Sequence, residues 1–228
     1  MLVHVPALLS GEQLEFFRAR LDADDAPWTD GRVTAGHQGV HVKQNQQIVE
    51  GSALALELGD SVLAALERHP LFISSTLPNR VYPPMFNRYQ GGMHFGSHVD
   101  GSVRLVPGSG AKFRTDVSAT LFLAPPESYD GGELLIEDTG GTRSAKLPAG
   151  SMILYPATTL HRVSPITRGA RVAAFFWIQS MVKDESERRL LFDLDLAIVE
   201  LGQGAPDHPA VARLTAVYHN LVRKWGEV

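Results

Sequence analysis

Hydrophobic and polar positions change period along this chain, and the changes divide it into helical ends around a β-rich middle. Ser10 and Gln13 have the spacing of a capping box, and Leu14, Phe17 and Leu21 follow at helical spacing, which predicts a helix starting near residue 11. A second helix is expected within 53–68, where Leu54, Leu56, Leu58, Val62, Leu63 and Leu66 recur in ALALELGDSVLAALER and His69-Pro70 ends the pattern. From about residue 72 the texture becomes short apolar or alternating runs: FISSTL, VSATLFLA, GELLIED, SAKLP, SMILYP and RVAAFFWIQ. Gly, Pro and Asp turns separate them, as in an antiparallel sandwich or barrel. DTGG at 138–141 reads as a hairpin turn between two such runs. GSVRLVPGSGAKFRTD, 101–116, has little periodicity and is expected to be a long loop, of the kind that serves as a lid or binding loop when ordered. After residue 183 helical spacing returns in Leu190, Leu191, Leu194, Ile198 and Leu201, then in Val211, Leu214, Tyr218, Leu221 and Trp225. Two closing helices are therefore expected, their apolar stripes facing either the barrel or a second subunit.

Composition narrows the chemistry. The chain has 228 residues, enough for one moderately large domain or one domain with a small appendage. Lys plus Arg number 21 against 25 for Asp plus Glu, a net charge of −4, and the mixing of signs leaves no basic stripe for a phosphate backbone. Nucleic acid is not expected as a partner. There is no cysteine, so disulfides, thiolate metal sites and cysteine nucleophiles are excluded, and any metal must be held by His and carboxylate. MLVHVPALLSGEQLEFF lacks a basic n-region, and no apolar run approaches the roughly 18 residues that span a bilayer. A soluble, cytoplasmic protein is expected, with no membrane partner.

HFGSHVD, 94–100, carries the first chemical signal. Gly91 and Gly92 before it and the β texture after it argue for extended backbone, which puts His98 and Asp100 on one face with Cα atoms about 6.6 Å apart. The same argument weakens a helical zinc-protease reading of His94 and His98, which also lacks the catalytic Glu. A third ligand is needed, and His161 in YPATTLHRVSPI follows a turn at Pro156, 61 residues beyond Asp100. Two His and one carboxylate form a facial triad that leaves open positions and suits non-haem Fe(II). Arg171, ten residues after His161, shares a strand face with Ala173, Phe175 and Trp177. A guanidinium on so apolar a face needs an acid: a bound carboxylate, or an internal partner such as Asp116 or Glu133. Because the turn at Arg168-Gly169 separates His161 from Arg171, their strands are expected to be hairpin neighbours.

These residues resemble a known family. YQGGMHFGSHVD, YDGGELLIED and HRVSPITRGARVAAFFW look like the Fe(II)/2-oxoglutarate dioxygenases of the prolyl-4-hydroxylase type, in particular the bacterial PKHD-type hydroxylases. The core resemblance covers roughly 78–180, and the helical tail is similar to that group's C-terminal extension. It implies a double-stranded β-helix (jelly roll) with flanking helices, a dioxygenase domain at 1–182 and an extension at 183–228. It implies His98, Asp100 and His161 as the catalytic iron ligands and Arg171 as the grip on the distal carboxylate of 2-oxoglutarate. Tyr89 matches an aromatic position that contacts the same cosubstrate in relatives, and reads equally as a packed strand tyrosine. His94 matches no ligand position. The implied reaction is hydroxylation of a small-molecule or peptidyl substrate, coupled to O₂ consumption and conversion of 2-oxoglutarate to succinate and CO₂, with ascorbate as reductant and homo-oligomerisation through the closing helices as further expectations. A non-catalytic iron or 2-oxoglutarate sensor is the alternative, and a cupin-like isomerase or hydrolase lacks its usual third His and Glu.

Overall fold

The computed structural model describes residues 1–228 apart from His37, Gln38 and Thr139. In chain order the first elements are β1 (Val3–Val5), α1 (Gly11–Leu21), β2 (Trp28–Asp30), β3 (Lys43–Gln44), β4 (Gln46–Ile48), α2 (Ala53–Leu66) and α3 (Pro70–Thr76). The middle of the chain supplies β5 (Pro78–Val81), β6 (Met85–Gln90), β7 (His94–His98), β8 (Val103–Leu105), β9 (Lys112–Arg114), β10 (Val117–Phe122) and β11 (Asp130–Gly131). There follow β12 (Leu134–Asp138), β13 (Gly141–Ala145), β14 (Met152–Pro156), β15 (His161–Val163), β16 (Ile166–Arg168), β17 (Ala170–Ser180), α4 (Glu185–Gly204) and α5 (Pro209–Trp225).

Two antiparallel sheets face each other. The larger has eight strands in the order β1-β14-β10-β17-β6-β4-β2, with β5 also paired to β17, and the smaller runs β13-β12-β15-β7-β3. This is the jelly roll implied by the family resemblance. The 11-residue β17 is its spine, and alternation along it decides both faces. Ala174, Phe176 and Ile178 join Phe17, Leu58, Val62 and Phe72 in a core between the large sheet and the N-terminal helices. Arg171, Phe175 and Trp177 point the other way, into the space between the sheets.

The helical ends follow their sequence signals. Ser10 and Gln13 cap α1 reciprocally: the Gln13 N–H donates to Ser10 Oγ (3.3 Å) and the Ser10 N–H to Gln13 Oε1 (2.8 Å). In α2, Leu54, Leu58, Val62 and Leu66 are buried, whereas Leu56 is exposed. The closing helices pack on the barrel: Leu191 of α4 is buried with Leu77 and Val182, and Tyr218, Leu221, Val222 and Trp225 of α5 cover them. No helix among the described residues is long and apolar enough to cross a membrane.

Three local expectations change. FISSTL is not a strand but most of α3, because Pro70 at the first helical turn supplies a helix-compatible φ and starts a helix as well as ending α2. The Ser75 and Thr76 hydroxyls donate back to the Leu71 and Phe72 carbonyls, and Leu77 (φ 43°) closes the helix. The stretch 101–116 is not an irregular loop but a β8–β9 ribbon in register Val103↔Arg114 to Leu105↔Lys112. Its anchor is Phe113, buried edge-on against Tyr82 at 5.4 Å. Third, the strands carrying His161 and Arg171 are not hairpin neighbours. β15 pairs with β12 and β7 in the small sheet, and β17 with β10 and β6 in the large one, so the two residues look at each other across the sandwich. β12 and β13 pair as expected around DTGG, from Leu134↔Ala145 to Asp138↔Gly141, while Thr139 itself lies outside the described residues.

Candidate active site

Antiparallel pairing of β7 with β15 places His98 directly opposite His161. Their ring centroids are 4.2 Å apart, and Asp100, two residues beyond His98, brings Oδ2 to 3.8 Å from His161 Nε2. One ligand atom from each of the three lies within 4.8 Å of the others. Both rings are oriented by their own backbone: His98 Nδ1 meets the Gly96 carbonyl at 2.8 Å and His161 Nδ1 the Thr159 carbonyl at 2.9 Å. Donation from each Nδ1–H fixes the tautomer and leaves both Nε2 lone pairs free. Asp100 Oδ2 accepts from the Ser118 hydroxyl at 2.6 Å, which orients the carboxylate. Phe95 stacks on His98 at 3.6 Å. Burial, with His161 beside it, pushes the His98 imidazole down to about 4, so the ring is neutral at physiological pH.

The opposite wall holds the guanidinium. Arg171 is 1% exposed, lies beside Tyr89 in the β17–β6 register, and sits 5.5 Å and 5.2 Å from the Tyr89 and Phe122 ring centroids. Neither internal partner considered from sequence is engaged with it. Asp116 is held by Arg114 Nε at 2.8 Å and Glu133 by the Ser164 hydroxyl, and among the described residues no acid lies within salt-bridge distance of Arg171. Its Nε is buried without a hydrogen-bond partner. A buried cation without an acid partner is costly and calls for an anion from outside the chain.

Two glycines explain the YDGGELLIED signature. Gly131 and Gly132 have φ of 76° and 69°, where L side chains are strained, and a Cβ on Gly132 would come within 2.4 Å of Ile166 Cδ1 and 3.1 Å of Arg171 Cδ. Close backbone approach behind the arginine therefore sets its position. Tyr89 is buried against the guanidinium, and burial pushes its hydroxyl up to about 12, so it remains protonated. Histidine 94 is not brought to the cluster. On one strand it sits about 13 Å along from His98, and its Nδ1 meets the Gly92 carbonyl at 3.2 Å. A His94–His98 metal site is excluded by that spacing.

Between the two walls is a cavity of about 330 Å³ lined by the His98, Asp100, His161 cluster, Arg171 and Tyr89, within the range of small-molecule sites. Lys43 and Arg104 also line it, and neither was visible as a site residue in the sequence. Lys43 lies in the N-terminal third, which carried no strong period, and Arg104 in the stretch read as a loop.

Comparisons with known proteins agree with this geometry. Residues 84–179 match the 2OG-Fe(II) oxygenase superfamily and residues 185–227 the PKHD-type hydroxylase C-terminal domain. A PKHD-type hydroxylase of Paraburkholderia phymatum is 63% identical over 227 residues, covering 100% of both chains. Among solved structures, a prolyl hydroxylase from Trichoplax adhaerens, in complex with a hypoxia inducible factor peptide fragment, superposes with a TM-score of 0.55 at 15% identity, covering 83% of this chain and 86% of that one. A Pseudomonas putida prolyl-4-hydroxylase gives 0.51 at 21% identity, covering 78% and 92%. The structures support the fold, and the full-length identity decides the family. The chain belongs to the PKHD-type hydroxylases, oxidoreductases of the Fe(II)- and 2-oxoglutarate-dependent dioxygenase class.

Proposed function

We propose that His98, Asp100 and His161 hold the Fe(II) of this dioxygenase and that Arg171 grips the distal carboxylate of 2-oxoglutarate, with Tyr89 packed against the guanidinium. The observation that carries this reading is the convergence of three ligand atoms within 4.8 Å, facing a fully buried, acid-free guanidinium across one cavity. The donor set fits the metal: two imidazoles with free Nε2 atoms and one carboxylate on one side, with the cavity on the other. When bound, the iron supplies O₂ activation coupled to decarboxylation of 2-oxoglutarate, giving succinate, CO₂ and a hydroxylated substrate.

The chain's own groups bind, orient and exclude water. The Gly96 and Thr159 carbonyls hold the imidazole tautomers, and Ser118 holds the carboxylate. Arg171 offers its fork to a carboxylate, and Tyr89 and Phe122 keep that end of the cavity dry, which strengthens a charge-assisted pair. Tyr155, buried edge-on against His161 at 5.0 Å, keeps its proton because burial raises its pKa, and so adds no competing anion.

The same reading makes ascorbate an external reductant, the cytoplasm the working compartment, and 1–182 and 183–228 a catalytic domain with its helical extension. The substrate is a small molecule or a peptidyl side chain, the latter supported by the peptide-bound Trichoplax adhaerens neighbour. A second copy meets the outer side of α4, where Leu190, Leu196 and Val199 are exposed. The test is to incubate Fe(II)-loaded protein with 2-oxoglutarate, O₂ and candidate peptides and small molecules, following succinate and product mass together. Succinate should form in the wild type and not in Asp100→Ala. Undiminished turnover in Asp100→Ala would overturn the ligand assignment.

A further inference from the structure

The cavity contains more positive charge than the cosubstrate uses. Among the described residues its charged lining is Lys43, Arg104 and Arg171 against the carboxylate of Asp100. On the reading above, on which this inference rests, a divalent metal, Asp100, the two carboxylates of 2-oxoglutarate and Arg171 cancel one another. Lys43 and Arg104 are left over.

Neither has an acid within salt-bridge distance among the described residues. The nearby acids have other partners: Asp30 is forked with Arg32, and Glu50 accepts from the Tyr82 hydroxyl at 3.0 Å. Lys43 is 4% exposed, and its ammonium donates only to neutral oxygens, Thr34 Oγ1 at 3.2 Å and Gln47 Oε1 at 3.1 Å. It sits 5.3 Å from the Phe95 ring centroid and 5.7 Å from that of Phe175. The Arg104 guanidinium lies 4.3 Å from the Trp177 ring centroid, with Nε buried and unpartnered, and the Trp177 indole Nε1 is buried and unpartnered as well. Two cations with no acid among the described residues, one of them buried, together with the unpartnered Arg104 Nε and Trp177 Nε1, are arranged for an anion.

Position separates this set from the cosubstrate grip. Trp177 is six residues beyond Arg171 on the same face of β17, roughly 20 Å along the strand. A short diacid bound at Arg171 does not reach it. We propose that the far end of the cavity is a second anion subsite, formed by Lys43, Arg104 and the Trp177 N–H, that takes a carboxylate of the substrate to be hydroxylated. The substrate class is thus acidic, with an aromatic or aliphatic stem suited to Phe95, Phe175 and Trp177.

The experiment uses full-length protein loaded anaerobically with Fe(II) and 2-oxoglutarate, with benzoate and benzamide as probes of equal shape and different charge. Calorimetric titration should show benzoate binding at least about ten-fold more tightly than benzamide, without displacing 2-oxoglutarate. Arg104→Gln and Lys43→Gln should each weaken benzoate about ten-fold, roughly the 1.4 kcal/mol of one decade, while benzamide and 2-oxoglutarate affinities stay as in the wild type. Equal binding of the two probes, no benzoate binding, or displacement of 2-oxoglutarate by benzoate would each overturn the subsite. If the variants lose 2-oxoglutarate instead, the two cations belong to the cosubstrate and the proposal fails. Should wild-type protein not hold 2-oxoglutarate at all, the Arg171 assignment falls separately, and the probe comparison without cosubstrate still decides the subsite. Lys43→Gln is the variant more at risk of misfolding because Lys43 is buried, so partly exposed Arg104 keeps the test decisive.

Discussion

His98 and His161 form a cross-strand pair, directly opposite in the β7–β15 register with ring centroids 4.2 Å apart. The pair is held by backbone register, and Asp100 completes it under the control of Ser118. Anaerobic protein should bind about one Fe(II) per chain through the three ligands. Ser118→Ala, which removes the hydroxyl from Asp100 but no ligand, should weaken iron about ten-fold, as outer-shell losses do. Asp100→Ala should weaken it far more. Equilibrium competition with a chelator measures both, and an unchanged affinity in Asp100→Ala would remove the triad.

Arg171 should govern the cosubstrate and leave the metal alone. Arg171→Ala leaves a buried carboxylate unpaired at a cost of about 2 to 5 kcal/mol, so 2-oxoglutarate affinity should fall roughly 30-fold or more. Iron affinity should stay within two-fold or so of the wild type. Arg171→Lys should recover only part of the loss because an ammonium lacks the planar fork. Wild-type cosubstrate affinity in Arg171→Ala would disprove the assignment.

Gly132 tests the backbone that supports the guanidinium. With φ at 69° and the Arg171 Cδ only 3.1 Å from a new Cβ, Gly132→Ala should destabilise the protein by about 1–3 kcal/mol. 2-Oxoglutarate should bind more weakly as Arg171 is displaced. Thermal unfolding and cosubstrate titration of the same variant check both, and a neutral effect on each would show the close approach to be unimportant.

The buried Lys43 makes a pH prediction. Burial, with Arg104 nearby, pushes the ammonium down to about 8 from its usual 10.5, so in the folded state the charged form is disfavoured. The corresponding destabilisation is on the order of 3 kcal/mol. It is fully present below pH 8, is relieved as pH rises from about 8 to 10.5, and is absent above, because there the unfolded chain has also lost the proton. Denaturant unfolding of wild type and Lys43→Met across that range should therefore show the wild type gaining on the variant as pH rises. A constant difference would mean that Lys43 is not desolvated.

The closing helices cover Leu77, Val182 and Leu191, and the chain end is fastened by the Glu227 N–H donating to the Met181 carbonyl at 2.7 Å. Truncation after residue 182 should uncover that apolar cluster and leave an aggregating product in light scattering. A soluble, monomeric and active truncation would make α4 and α5 dispensable.

Local signals in the sequence determined a good deal. The His98-x-Asp100 spacing, the apolar face shared by Arg171, Phe175 and Trp177, and the Ser10–Gln13 cap all depend on residues close in the chain, and side-chain period and capping are local properties. Turn chemistry was legible for the same reason, as in DTGG between β12 and β13. His161 and Arg171 were singled out from ligand need and from charge on an apolar face, and family resemblance, carried by those same motifs, implied their roles.

Tertiary structure decided what local period cannot. His161 and Arg171 read as hairpin neighbours because ten residues and a turn separate them, yet β15 and β17 belong to opposite sheets, since each strand follows the partner that buries its apolar face. Pro70 reads as a stop from one side and a start from the other, and packing of Phe72 into the helix-covered core favours the start, which makes FISSTL helical. Lys43 and Arg104 come from segments with weak period, 61 residues apart in the chain, and enter one cavity only when β3 pairs with β7 and Phe113 anchors the β8–β9 ribbon. Their convergence on one cavity without an acid depends on distant surfaces coming together, which no local pattern encodes.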